Sequence, residues 1–281
     1  MSAAAAPLPP ALATAVRSSS FYAGMAILPR AEREAMFAVY GFCRVVDDIA
    51  DDDGMDHATR ARLLDQWRGW VGALYRGGDT GEAAFLAPAV AGFALEEADF
   101  LAVIDGMQMD VDGPVCWPDF ATLDLYCDRV ASAVGRLSVN VFGMERGVGV
   151  ALAHHLGRAL QFTNILRDID EDAGIGRVYL PAEALAAAGI TPATPQALVD
   201  EPNLDAAARW LAPRARQHFA EAAAILAAKP RGHLVAPRLM EAAYARLLTR
   251  MEAAGWAPPR VRVRVSKPAL LFSLLRFWLL P

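Results

Sequence analysis

Hydrophobic positions along this chain recur at helical spacing and almost nowhere at the two-residue period of a half-buried strand. Behind Leu28-Pro29, the segment RAEREAMFAVYGFCRVVDDIADDD places Glu32 and Glu34 in its first turn and apolar residues on nearly every face from Met36 to Ile49. It predicts a buried helix that enters on Pro29 and ends near Gly54. Further helices are predicted over about 57–75 and 81–93, with a short one carrying DFLAVIDGMQMDVDG. After a break at Trp117-Pro118, Asp119 or Thr122 can cap a helix that holds LDLYCDRVASAVGRLSVNVFG. A long helix over about 148–170, a short turn over 183–188 and helices over 202–229 and 235–254 follow. Only RVRVRV at 260–265 alternates cleanly. The pattern predicts an all-α fold, one large helical bundle rather than a two-layer α/β enzyme.

Composition adds limits to that picture. The 281 residues are 55% hydrophobic and rich in alanine, enough for one large helical core. A net charge of -5 speaks against broad nucleic-acid binding. Three cysteines, Cys43, Cys116 and Cys127, form no C-x-x-C pair and read as small buried thiols. The N-terminal MSAAAAPLPPALATAVR lacks a basic stretch ahead of its apolar part and reads as a lead-in over 1–16, not a secretory leader; a cytoplasmic chain is expected. At the other end Arg260, Arg262, Arg264, Lys267 and Arg276 are basic, and Ala269–Leu280 is apolar but for Ser273 and Arg276. That stretch is too short for an ordinary span. The tail over 266–281 therefore lies either on an anionic membrane surface, the inner face for a cytoplasmic protein, or on the protein's own core.

Two carboxylate pairs carry the candidate chemistry. Asp47 and Asp51, in DDIAD, and Asp168 and Asp172, in DIDED, are each four residues apart. On a helix that spacing aims both groups of a pair at one place and sets like charges against each other. A cation must compensate, and magnesium suits hard oxygen ligands shared with a phosphate. Arg44 and Arg167 stand beside the pairs as phosphate or carboxylate clamps, with a salt bridge to the neighbouring aspartate as the plainer role. Gln161 and Asn164 share a face with Asp168, which puts a polar pocket inside an apolar bundle. His154 and His155 are adjacent, point to different sides of their helix and are expected to be poor joint ligands.

With these residues in view, four blocks of the chain resemble the squalene/phytoene synthase family: SSSFYAGMAILP (18–29), YGFCRVVDDIAD (40–51), YCDRVASAVG (126–135) and QFTNILRDIDEDAGIGRVYLP (161–181). The resemblance covers about residues 17 to 268, with the synthase domain itself placed at 17–265. It is strongest to bacterial members that stop at presqualene diphosphate in hopanoid synthesis, through FYAGMAILPRAEREAMFAVYGFCRVVDDIADD, VIDGMQMDVDG and DRVASAVGRLSVNVFG. It implies an isoprenoid synthase bundle with a central cavity and a magnesium-dependent, head-to-head condensation of two farnesyl diphosphates, without NADPH, upstream of other isoprenoid enzymes. It implies Asp47, Asp51, Asn164, Asp168 and Asp172 as magnesium ligands, and Ser18, Tyr40, Arg44, Gln161, Arg167 and Tyr244 around the diphosphates. It implies Tyr126 at the reaction centre and Arg177 and Tyr179 on a loop that closes over it. Phe21, Phe37, Phe42, Met107, Val130, Val134 and Leu137 are candidate walls for the farnesyl tails, with Ala131, Ala133 and Gly135 leaving room. Other readings stay open: a phytoene synthase acting on C20 substrates, a complete NADPH-dependent squalene synthase, an isoprenoid diphosphate hydrolase, or a non-catalytic helical assembly protein.

Overall fold

The computed structural model describes residues 25–264, apart from Pro114 and Pro192, together with Leu12. Ser18, Phe21, the lead-in over 1–16 apart from Leu12, and the tail over 266–281 lie outside the described residues. Twelve α-helices are described: α1 (Arg30–Asp51), α2 (His57–Arg76), α3 (Ala87–Phe93), α4 (Glu97–Asp112), α5 (Phe120–Cys127), α6 (Ala133–Val141), α7 (Arg146–Arg167), α8 (Ile169–Gly174), α9 (Ala182–Ala187), α10 (Pro195–Val199), α11 (Leu204–Ala227) and α12 (Val235–Ala254). A 3₁₀ turn, Gly81–Leu86, leads into α3. No sheet occurs among the described residues; Cys116 and Val178 form one isolated parallel bridge. The alternating stretch at 260–264 forms no strand.

Helix ends follow local chemistry. Asp56 accepts the backbone N–H of Thr59 at the start of α2, and Asp119 accepts that of Thr122 at the start of α5. α1 begins directly after Pro29 with Glu32 in its first turn. Two predicted helices are interrupted. Between α5 and α6 the chain makes a π-helical turn, Asp128–Ser132. The long helix α7 ends at Arg167, and Asp168 (φ -104°, ψ 17°) breaks it before α8 begins.

α1 packs on α4 and α6, α6 packs on α7, and α7 packs on α11 and α12. The two aspartate-bearing segments therefore stand on either side of α6 and the π turn. Small residues at helical spacing on α7 bring this crossing close. A Cβ on Gly149 would sit 3.0 Å from the Val139 side chain, one on Gly135 would sit 3.0 Å from Ala153, and one on Gly157 would sit 2.7 Å from the Ser132 backbone. Gly135 thus admits the neighbouring helix rather than leaving room for a substrate tail. On the opposite flank, a Cβ on Gly106 of α4 would sit 2.5 Å from Val130. The π turn is clamped between two glycines.

Arg158 reinforces that clamp. It is 5% exposed and donates to Asp124 (2.7 and 2.9 Å), Asp128 (3.1 Å) and Ser132 (3.0 Å), which ties α5 and the π turn to α7. Around it the core is apolar. Phe42, a candidate tail wall, is fully buried against Phe100 (5.1 Å between ring centroids) and Trp67 (5.8 Å), and Leu137 is also fully buried. Both serve the core, where burying such a side chain contributes about 1.5–3 kcal/mol. The cysteines are free thiols, with Cys127 buried and the other two half-buried.

Candidate active site

Asp47 and Asp51 sit one turn apart at the C-terminal end of α1, each directly after a buried residue, Val46 and Ala50. Arg44, one turn earlier, donates to Asp47 at 2.7 Å and also pairs with Asp48. Burial and the negative charge of Asp51 raise the Asp47 pKa to about 6, against the pull of Arg44. The second pair keeps its one-turn spacing across the helix break, because the Asp172 backbone N–H donates to the Asp168 carbonyl at 2.8 Å. Burial and Asp168 raise the Asp172 pKa to about 7, against Arg177. Both carboxylates hold their protons more tightly than usual because burial penalises the charged form and the neighbouring aspartate adds to that penalty.

A loop brings the two pairs together. The Trp117 N–H donates to the Val178 carbonyl (2.8 Å), the Val178 N–H to the Val115 carbonyl (2.7 Å), and the Ala182 N–H to the Pro118 carbonyl (2.8 Å). These bonds fix residues 177–182 against the segment before α5. Arg177 then reaches Asp51 on α1 at 2.7 Å and lies 3.9 Å from Asp110 on α4. Tyr179 stacks on Tyr126, with ring centroids 5.0 Å apart. Both hydroxyls donate to Asp110, from Tyr179 at 2.8 Å and from Tyr126 at 3.1 Å. Asp110 is 7% exposed, and burial raises its pKa even though Arg177 and the two hydroxyls oppose the rise. The spacing of acids along the chain does not single out Asp110. Its signal is an acid at the next helical step of the stripe Val103, Met107, where an apolar residue is expected.

The other named residues fall around this centre. Asn164 and Gln161 are half-buried on α7, with the Asn164 amide donating to Gln161 Oε1 at 3.4 Å. The Asn164 Oδ1 is buried with no partner. Arg167 donates to Asp168 at 2.8 Å, and the buried Tyr244 of α12 is a further hydrogen-bonding neighbour of Arg167. Tyr40 is half-buried on α1, one turn before Arg44. The sequence does not foreshadow the role of the segment after α12. Arg260 pairs with Asp170, and Arg262 pairs with Asp168 and, at 3.2 Å, with Glu171, so this stretch lies along the second aspartate motif.

These donors fit magnesium. They are hard oxygens in two pairs with excess negative charge, and the buried amide oxygen of Asn164 lacks a partner. Among the described residues, no three of these carboxylates converge as tightly as a compact three-ligand site. That suits an ion completed by substrate phosphate and water rather than caged by protein. Asp172, Arg177 and Tyr179, with Ile165, Ile169, Val178 and Leu180, line a cleft of about 180 Å³. A second cleft of about 310 Å³ runs between Arg167, Asp170, Trp256 and Arg262.

The family profile described as squalene/phytoene synthase matches residues 14–269. The chain is 59% identical over 260 residues to presqualene diphosphate synthase of Zymomonas mobilis, covering 92% of this chain and 89% of that protein. It is 50% identical over 277 residues to presqualene diphosphate synthase of Rhodopseudomonas palustris, covering 99% of each. Among solved structures, a squalene synthase from Alicyclobacillus acidocaldarius superposes with a TM-score of 0.77 at 25% identity, covering 88% of this chain and 94% of that one.

Proposed function

The chain belongs to the squalene/phytoene synthase family, and on that basis we propose that it condenses two molecules of farnesyl diphosphate head to head into presqualene diphosphate. The observation that carries this reading is Arg177, whose side chain pairs with Asp51 of the first aspartate pair and whose backbone N–H donates to the Asp172 carbonyl of the second, beside a buried Tyr126–Tyr179–Asp110 group.

In the reaction, the C1–O bond of the donor breaks and its electron pair leaves with the diphosphate. The C2=C3 bond of the acceptor attacks the allylic cation. The released diphosphate then takes a proton from the coupled cation, the C–H electron pair closes the cyclopropane, and the acceptor keeps its own diphosphate.

Asp47, Asp51, Asn164, Asp168 and Asp172 would hold magnesium. Bound there, the ion would offset the charge of the diphosphate and stabilise the leaving group. Arg44, Arg167 and Arg177 are placed to orient diphosphate oxygens by charge-assisted hydrogen bonds. Ser18, Tyr40, Gln161 and Tyr244 complete the polar surround in the same reading. The Tyr126 ring offers its face to a developing cation. Tyr179 stacks behind that ring, and Asp110 holds both hydroxyls in place. The 177–182 segment excludes water, which would otherwise capture the cation.

No described helix is long and apolar enough to cross a membrane. We place the enzyme in the cytoplasm, with one synthase domain over 17–265 and the basic, apolar tail on the inner membrane face. The test is incubation with farnesyl diphosphate and magnesium without NADPH, followed by mass spectrometry of the lipids. Presqualene diphosphate is the expected product. Farnesol as sole product, or coupling only of a C20 diphosphate, overturns the proposal.

A further inference from the structure

α7 and α11 bring together three histidines remote from the aspartates. His154 and His155 follow one another on α7, and His218 reaches them from α11. Neighbouring residues on one helix diverge by about 100°, which argues against a joint site on that helix alone. Here the third ring stands on the facing helix, in the crease between the other two. Ring centroids lie 4.8 Å apart for His154–His155, 5.2 Å for His155–His218 and 5.7 Å for His154–His218. One ligand nitrogen from each ring lies within 4.8 Å of the others. Among the described residues, this is the one group of three or more histidine, cysteine or acidic side chains so gathered.

We infer that His154, His155 and His218 form a site for a divalent first-row transition-metal ion of the zinc type, with the remaining coordination open to solvent. Imidazole nitrogens suit zinc, copper and nickel, whereas the oxygen donors of the aspartate pairs suit magnesium. The two sites therefore divide by chemistry as well as by position. His154 stands ten residues before Asn164, roughly 15 Å along the helix axis.

The surroundings keep the rings ready to coordinate. Coordination needs neutral imidazole. His155 Nδ1 and His218 Nδ1 are 3.0 Å apart, so one donates and the other accepts. An ion at typical zinc–nitrogen distances of about 2.0–2.1 Å would sit between such rings after modest side-chain rotation. Arg158 donates to His154 Nδ1 at 2.9 Å. It keeps Asp124, Asp128 and Ser132 if that bond is given up, and the two carboxylates balance its charge. All three histidines are half-buried, which leaves an approach from solvent. An ion there would pin α7 to α11, two helices of the central packing.

The site is tested on untagged, full-length protein with zinc as the probe, in excess magnesium so that the aspartates are occupied. We expect one zinc per chain to survive gel filtration, also in an Asp47→Asn, Asp168→Asn double variant. We expect His218→Gln to weaken zinc retention at least about tenfold. Zinc-edge absorption spectroscopy of the wild-type protein, which needs no variant, should show three imidazole rings around the ion. Loss of zinc in the aspartate variant with retention in His218→Gln would overturn the site, as would no retained zinc in the wild-type protein or fewer than three imidazoles in the spectrum. The readout is metal binding itself, so it stands apart from the fate of the condensation proposal.

Discussion

A single carboxylate shows how this site trades stability for chemistry. The Asp172 carboxyl ordinarily ionises near 3.8, but in the folded protein it does so at about 7. A raised acid pKa means that folding takes up a proton between these values. The contribution to stability is therefore present at acidic pH and is lost as the pH rises from about 4 through about 7. At pH 8 the metal-free protein bears the full cost of a buried charge that Asp168 also repels. Asp172→Asn removes that charge and should raise the metal-free Tm at pH 8 by about 2–4 °C, the effect of about 1 kcal/mol in a chain of this size. The gain should shrink towards pH 5, as differential scanning fluorimetry across that range would show. Product formation with magnesium should fall on the order of 100- to 1,000-fold, as when a group that supports charge in the transition state is lost. A variant that is less stable at pH 8 would contradict the electrostatic account.

Among the elements, the crossing of α7 on the π turn is the most constrained. At Gly157 an added Cβ meets backbone atoms of Ser132, which cannot swing aside as a flexible side chain can. Arg158, the next residue, fixes the same turn by its hydrogen bonds to Asp128 and Ser132. Gly157→Ala should therefore cost about 1–3 kcal/mol through overpacking, seen as a lower urea midpoint with an unchanged slope. By contrast, Gly174→Ala on α8, where an added Cβ meets nothing within 4 Å, should leave the midpoint nearly unchanged. The crossing matters for function because α5 and the π turn are continuous with the strand-like clip at 115–118. That clip positions Arg177 and Tyr179.

For the whole molecule, the segment after α12 links the second aspartate motif to the basic end of the chain. Arg260 and Arg262 lie on Asp170, Asp168 and Glu171, and the sequence then runs on through Lys267 to Arg276 among apolar residues. Deleting residues 267–281 should abolish sedimentation with anionic lipid vesicles, and high salt should weaken binding of the full chain. Unchanged sedimentation of the truncated chain would refute a membrane role for the tail.

The sequence by itself determined the helical architecture, because helix formation is written in the local period of apolar residues, and α1, α2 and α12 begin and end within a few residues of their predicted bounds. It also determined the two carboxylate pairs, because four-residue spacing defines a face without reference to any other part of the chain. Only the tertiary structure decided what those faces meet. The pairing of Arg177 with Asp51 spans 126 residues, and that of Arg262 with Asp168 spans 94. His218 joins His154 and His155 across two helices. Asp110 is an isolated acid until two tyrosine hydroxyls reach it, and Gly135 reads as empty space until Ala153 fills it. Local propensity acts over one or two turns, whereas close approach between helices is set by side-chain volumes on both partners, and neither partner's sequence contains the other's.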